Sequence, residues 1–201
     1  MILDPVNTSG SEGLPLHQHT LLLYSSDDDK VHTKYVSEGL DRGHLVIYIP
    51  INSDINDNTS YMSKMASEIV NYEDYVNGGN LLTSNIRPFY NSALARNTEP
   101  FEELKILLEE AIKERITSGK NDEVTFVSSI GGTLATNQKF DESIDSEKWW
   151  HKTHSEWLKK GLKVTMVCSH PKKLFDKSHQ FMDYKQAMSS LHNITLDSMS
   201  R

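Results

Sequence analysis

Residues able to do chemistry gather in three places along the chain. Cys168 and His170 stand two apart in an apolar run, so on a strand they share a face, as a thiolate–imidazole pair would. Glu147, His151 and His154 fall a turn apart on a helical stretch. With His17-x-His19 near the start they make a donor set of the kind that holds Zn²⁺ or another metal. The third place is Ser25-Ser26-Asp27-Asp28-Asp29-Lys30, where the apolar run Thr20–Tyr24 hands over to a helical pattern. Each place also has a plainer reading. A lone cysteine at a buried strand end is commonly a small hydrophobe. Nine histidines among 201 residues produce chance pairs. Ser26 with Asp29 makes a capping box, and Asp27–Asp29 suit a solvated first helical turn better than a divalent cation. On these grounds the sequence is assigned no metal ligand and no cofactor.

The elements that must position these residues follow from hydrophobic period and punctuation. The spacing predicts strands at Thr20–Tyr24, His44–Pro50, Asn80–Ser84, Glu123–Ile130, Leu162–Ser169 and His192–Leu196. Between them it predicts helices ending at Gly43, near Thr59–Val76, from Pro100, over Asp145–Lys160 and over Pro171–Ser190. Ile86-Arg87-Pro88-Phe89-Tyr90 is expected to be irregular because Pro88 disfavours helix before it, and Gly131–Ser143 is expected to be a loop. Trp149, Trp150 and Trp157 are expected to pack one helix face on the sheet. Strict alternation predicts a three-layer α/β domain with a mostly parallel sheet and helices on both faces. Residues 1–16 read as a flexible lead-in and 17–197 as one domain.

The totals narrow the function. A formal net charge of −7 argues against a nucleic-acid binder, which would show a basic face. No apolar run reaches the roughly 20 residues that cross a bilayer, and residues 1–16 lack the pattern of a secretory signal. The single cysteine excludes an internal disulfide and a multi-cysteine cluster. A cytoplasmic location is expected.

Leu22-Leu23-Tyr24, followed by Tyr35-Val36-Ser37-Glu38-Gly39-Leu40-Asp41-Arg42-Gly43 and the strand His44–Ile49, resembles the opening of KaiC and RecA-like ATPase domains. The closer resemblance is to the DcmR-type sensory domain (methanogen/methylotroph sensory domain, MEDS), a KaiC-like domain without its phosphate loop. That family begins with a His before the first strand, here His19. It has a helix carrying a Glu, here Glu156, then a strand ending in Cys, here Cys168, and often a C-terminal His, where His192 falls. The resemblance spans about residues 17–197. It implies a RecA/KaiC-like fold and a role in sensing small molecules that feeds signalling or transcription.

A phosphate loop needs glycines so that successive N–H groups converge on phosphate, with Lys and Ser/Thr completing the site. Gly119-Lys120 fails, since it lies between a helix and a strand with no Ser/Thr after it and no Gly five residues before. At Ser25–Lys30 three Asp would repel polyphosphate. The strand Val124–Ser129 ends in Ser-Ser where a carboxylate would orient Mg²⁺. The expectation is a non-catalytic sensor or signalling domain. Its ligand site would lie at the C-terminal edge of the sheet, lined by Tyr24, Ser25, Ser26, Arg87, Ser129, Cys168 and His170. Expected partners are a small molecule, a signalling protein such as a histidine kinase or transcription regulator, and a second copy, with no nucleic acid and no membrane. The folded unit takes up the chain given, so output would pass through a partner. The rivals are a residual enzyme (a nucleotide hydrolase or a Cys168-dependent catalyst) and a ligand-free structural module.

Overall fold

Apolar runs of β-branched residues alternate with amphipathic stretches, and in the structure, a computed structural model, they form strands and helices in turn. Residues 13–25, 30–50, 59–175 and 182–198 are described. Ser26, the Asp27–Asp29 cluster and the polar stretch Asn52–Asn58 lie outside them, as do residues 1–12 of the expected lead-in. The strands are β1 (His19–Tyr24), β2 (Leu45–Ile49), β3 (Leu81–Thr83), β4 (Val124–Ser128), β5 (Val164–Pro171) and β6 (Ile194–Asp197). They form one sheet in the order β3-β2-β4-β5-β1-β6, and each neighbouring pair is parallel. Parallel neighbours require crossovers, and the helices that make them cover both faces.

Alternation along each strand divides the core. Leu22, Val46, Tyr48, Val127 and Val167 pack against α1 (Lys30–Asp41), α2 (Thr59–Glu68) and β6. Leu45, Ile47, Phe126, Val164 and Met166 pack against α4 (Ile86–Leu94), α5 (Glu99–Thr117), α6 (Ile130–Thr136) and α7 (Phe140–Lys159). Leu21 meets α8 (Met182–Leu191) through Tyr184 and Met188 on that second side. This is the three-layer α/β architecture expected. Trp150 and Trp157 are buried on the sheet, while the indoles of Trp149 and Trp157 donate to Glu102 and Glu109 of α5.

Several local expectations are corrected. The segment Ile86–Tyr90 is helical: Asn85 accepts from the Arg87 N–H at 2.8 Å. Pro88 sits in the first turn, where its missing N–H would have had no helical partner. The expected loop after β4 contains α6, and α7 starts at Phe140, earlier than Asp145. The single helix expected over Thr59–Val76 breaks at Asn71, whose φ of 61° is left-handed, and α3 (Tyr72–Asn77) follows. The expected Pro171–Ser190 helix is a 3-10 turn at Lys172–Phe175 and then α8, with residues 176–181 outside the described segments. Leu14 is buried, and its N–H donates to Glu38 at 2.7 Å.

Candidate metal centre

β1 and β5 are neighbours, with Leu21 opposite Cys168 and Leu23 opposite His170. His19, Cys168 and His170 have the strand parity of Leu21 and Met166, which places their side chains on the α7 side. The buried stripe of α7 carries Glu147, Trp150, His154 and Trp157, so a carboxylate occupies a position whose period demands an apolar residue. The fourth contributor is His192, in the junction from α8 to β6. It is held there because Asn193 brackets His19. The Asn193 N–H donates to His19 O at 2.7 Å, and Asn193 Oδ1 accepts from the His19 N–H at 3.0 Å.

Four donor atoms meet as a result. One ligand atom each from His19, Glu147, Cys168 and His192 lies within 4.8 Å of the other three, and all four residues are buried. His19 Nε2 is 3.3 Å from Cys168 Sγ and 3.8 Å from Glu147 Oε2, and His192 Nε2 is 3.4 Å from Glu147 Oε2. Donors bound at roughly 2.0–2.3 Å to one tetrahedral zinc would stand about 3.3–3.8 Å apart. These three separations fall in that range, and all four atoms lie within 4.8 Å of one another.

Hydrogen bonding prepares the same set. His192 Nδ1 donates to Met188 O at 2.7 Å, which turns Nε2 toward Glu147. This is the outer-shell pattern that fixes the tautomer of metal-bound histidine. Among the described residues, His192 Nε2, Glu147 Oε2 and His19 Nδ1 have no hydrogen-bond partner. An orphaned buried polar atom costs about 1–3 kcal/mol, and Glu147 Oε2 and His192 Nε2 are the two of these that face each other in the cluster.

Glu147 Oε1 is served separately. His170 Nε2 donates to it at 3.1 Å, His170 Nδ1 takes the Tyr184 hydroxyl at 2.8 Å, and Tyr184 Oη lies 2.9 Å from Ser143 Oγ. Gly131 allows this approach, because a methyl group there would overlap Glu147 Oε1. Two more imidazoles flank the centre. The rings of His151 and His154 stand 5.9 and 5.7 Å from that of His19. Both are occupied with backbone carbonyls, His151 with Leu191 and His154 with Val164.

Burial alone would raise the Glu147 carboxyl, but the hydrogen bond from His170 and the nearness of His192 hold it well below the usual carboxylate range. Burial, reinforced by His192, pushes His19 well below its ordinary value against the pull of Glu147. Burial likewise lowers His170. Glu147 is therefore held as the carboxylate, while His19 and His170 are held toward the neutral imidazole. Cys168 departs from this ligand-ready state, since burial and the Glu147 charge push its thiol well up. That disfavours a free thiolate nucleophile, and a bound cation is what would deprotonate it.

The residues expected to line a sheet-edge site differ in exposure. Cys168, His170 and Ser129 are buried, Tyr24 and Ser25 are half-buried at the end of β1, and Arg87 is exposed on α4. Ser26 lies outside the described residues. Ser129 Oγ donates to Ile49 O, and Ser128 Oγ accepts from the Ile130 N–H, each at 3.3 Å. Cys168 meets His19, while His170 turns to Glu147 and Tyr184. Of the proposed metal donors, Glu147 and His19 do converge, with His151 and His154 beside them. His17 lies away at the other sheet edge, 3.8 Å from Glu123. Glu156, the carboxylate matched to the sensory-domain pattern, is on the surface, 2.8 Å from Lys105. Tyr184, Ser143 and Gly131 were not singled out in the sequence, where only an acidic residue on an apolar helical stripe points toward them.

No protein-family model matches the chain, and no curated protein sequence matches it. Among solved structures, the flagellar accessory protein FlaH from Methanocaldococcus jannaschii is similar at 13% identity and a TM-score of 0.46, over 92% of this chain and 72% of that one. The likeness is one of overall architecture. Among the described residues no helix is long and apolar enough to cross a membrane.

Proposed function

We propose that this chain is a non-catalytic, metal-dependent sensory domain working in the cytoplasm. Its buried centre takes one Zn²⁺-class ion on His19 Nε2, a Glu147 oxygen, Cys168 Sγ and His192 Nε2. The observation that carries this reading is the meeting of four donor atoms within 4.8 Å in the dry core. Two of those atoms, on Glu147 and His192, are without a hydrogen-bond partner among the described residues.

The donor set favours the class of ion. Two imidazoles, a thiolate and a carboxylate suit zinc or a similar borderline metal, whereas Ca²⁺ and Mg²⁺ prefer all-oxygen shells. Charge supports the same choice. A divalent ion with one carboxylate and one thiolate is neutral overall, which removes the cost of an uncompensated buried charge. Four protein ligands leave no open position for a substrate, so the ion would stabilise and signal rather than catalyse. The resemblance to DcmR-type sensory domains supports a signalling role, with output through a kinase, a transcription regulator or a second copy.

The test is metal uptake by the chelator-treated protein. Zinc is expected to bind one per chain with sub-micromolar affinity. Cobalt should give tetrahedral visible bands and a near-ultraviolet thiolate band that Cys168→Ser removes. A protein that takes up neither ion, or a cobalt spectrum unchanged by Cys168→Ser, overturns the assignment.

A further inference from the structure

The four ligand residues of the centre are closed off from water, and none is more than 6% exposed. An ion that binds there has to cross the covering layer, and a bare cation is costly to carry through apolar packing. A site of this kind needs an entry path as well as ligands. His192 is the least enclosed of the four and marks where the cover is thinnest. Leu191 before it is half-buried and Asn193 after it is exposed. The junction from α8 to β6 therefore dips from the surface to the core and back within three residues.

His151 stands beside that junction. It lies one turn beyond Glu147 on α7, and its Nδ1 donates across to Leu191 O, at the end of α8, at 2.6 Å. That carbonyl is next in the chain to the ligand His192. On its other side His151 approaches the ligand His19, with ring centroids 5.9 Å apart. Zinc–nitrogen bonds of about 2.0–2.1 Å would set two imidazoles that share one ion with their ring centres roughly 5–6 Å apart, and the pair stands within that reach. His151 is half-buried, so its ring borders water as well as the two ligands. The other flanking imidazoles differ in this respect. His154 is 2% exposed with Nε2 at Val164 O, and His170 is fully enclosed with Glu147 and Tyr184.

Resting on the metal reading above, we infer that His151 is the entry ligand of the centre. It takes the hydrated Zn²⁺-class ion at the seam of α7 and α8, passes it to His19, and is not bound to it once the four buried ligands have closed. An imidazole then accompanies the ion at each stage, so the bare cation never meets the apolar cover. Release follows the same path in reverse. His151 therefore sets how fast the ion exchanges, while the four ligands set how tightly it is held.

Rapid mixing of the metal-free full chain with zinc and a metallochromic indicator reads the entry rate, and competition with a chelator reads the exit rate. In His151→Ala both rates are expected to fall about tenfold, a barrier higher by about 1.4 kcal/mol. The equilibrium affinity and the cobalt spectrum should be unchanged. The direction discriminates, because loss of the ring widens the opening and a passage limited by space alone would become faster. His154→Ala removes an imidazole that does not border water, and should leave both rates near those of the wild type.

Rates unchanged or faster in His151→Ala overturn the entry role and leave the metal centre standing. So does a loss of affinity carried by faster exit alone, which marks a permanent ligand. Equal slowing in His154→Ala overturns it too, as a general effect of altering α7. A wild type that binds no zinc overturns both readings. Should His151→Ala fail to fold, His151→Gln decides on the same two rates, since it keeps an amide to donate to Leu191 O and offers no imidazole.

Discussion

Glu147 Oε2 and His192 Nε2 face one another across 3.4 Å in the buried core, with His192 Nδ1 donating to Met188 O. Glu147→Gln replaces the charge with a neutral group that still offers an oxygen to His170. The variant should bind zinc more weakly by well over the roughly tenfold to hundredfold that loss of an outer-shell partner costs. The metal-free variant should be less stable than the metal-free wild type, because the fold favours the ionised Glu147 carboxyl and the amide forfeits that contribution. Calorimetric zinc titration and thermal melts of both forms check this pair of outcomes. A metal-free Glu147→Gln that melts at or above the wild type contradicts a stabilised carboxylate.

Acid should weaken the metal-free protein. Burial is the main cause holding His19, His44, His154 and His170 below the ordinary histidine value, although Glu123 pulls His44 and Glu147 pulls His19 and His170 the other way. Unfolded histidine titrates near about 6.5. As pH falls through that value, the unfolded chain takes up protons that the folded chain refuses, so stability present above it is lost below it. The carboxylates held low, Glu147 among them, add their loss only further down, below the ordinary carboxylate range. Melting temperature should fall by several degrees between pH 7.5 and 5.5. A flat or rising melting temperature over that interval refutes the assignment of neutral imidazoles.

Which parts of this were legible in the sequence follows from how far each signal reaches. The strand runs and Pro100 act within one element, and β1, β2, β4 and β5 with α5 stand close to where the pattern puts them. The same local logic misjudged Pro88, because whether a proline ends a helix or opens one depends on the Asn85 cap rather than on the proline. The metal centre was half-legible. His19, Glu147 and Cys168 drew attention as residue types, but nothing local says that β1 lies beside β5 or that α8 returns His192 to them. Glu156 shows the reverse error. It matches the sensory-domain pattern of types, yet it lies on the exposed side of α7 with Lys105, while Glu147, two and a half turns earlier, points inward.

The Tyr184 hydroxyl supports the centre from one step away. It bonds His170 Nδ1 at 2.8 Å and so fixes the imidazole that donates to Glu147. Burial pushes its own ionisation far up, so it remains a neutral hydroxyl at any working pH. Tyr184→Phe keeps the ring that packs with Met188 and Phe175 and removes only the hydroxyl. Zinc affinity should drop by about tenfold and stability by about 1–2 kcal/mol, as expected for loss of an outer-shell partner and one buried hydrogen bond. Zinc titration and denaturant melts read the two effects separately. Unchanged affinity would remove Tyr184 and His170 from the support of the centre.

Arg115 performs a purely structural task at the opposite end of the sheet. Its guanidinium donates to Asn121 O at 2.6 Å, Asn80 Oδ1 at 2.9 Å and Gly43 O at 3.0 Å, tying three turns together. Removing it strands two carbonyls and an amide oxygen. Arg115→Ala should cost about 3 kcal/mol, and Arg115→Lys should recover little, since an ammonium cannot span the three acceptors in one plane. Zinc affinity should not move in either variant, because the residue is at the far sheet edge from the centre. Denaturant unfolding and zinc titration measure both, and a large loss of zinc affinity would contradict the separation.

Nucleotide chemistry should be absent. Where a metal-orienting carboxylate would end β4, Ser129 is 1% exposed and spends its hydroxyl on Ile49 O, and Ser128 caps the Ile130 N–H. Neither side chain is free to organise Mg²⁺, and the chain has no glycine-rich loop to gather phosphate. Purified protein should release phosphate from ATP no faster than buffer, and millimolar Mg-ATP should leave its melting temperature unchanged. Ser129→Asp should not create turnover. It should lower stability instead, by placing a carboxylate where a buried hydroxyl was paired. Phosphate release and thermal melts on the same preparations read both outcomes. ATP turnover by the wild type that responds to substitution at Ser128 or Ser129 would restore the hydrolase reading.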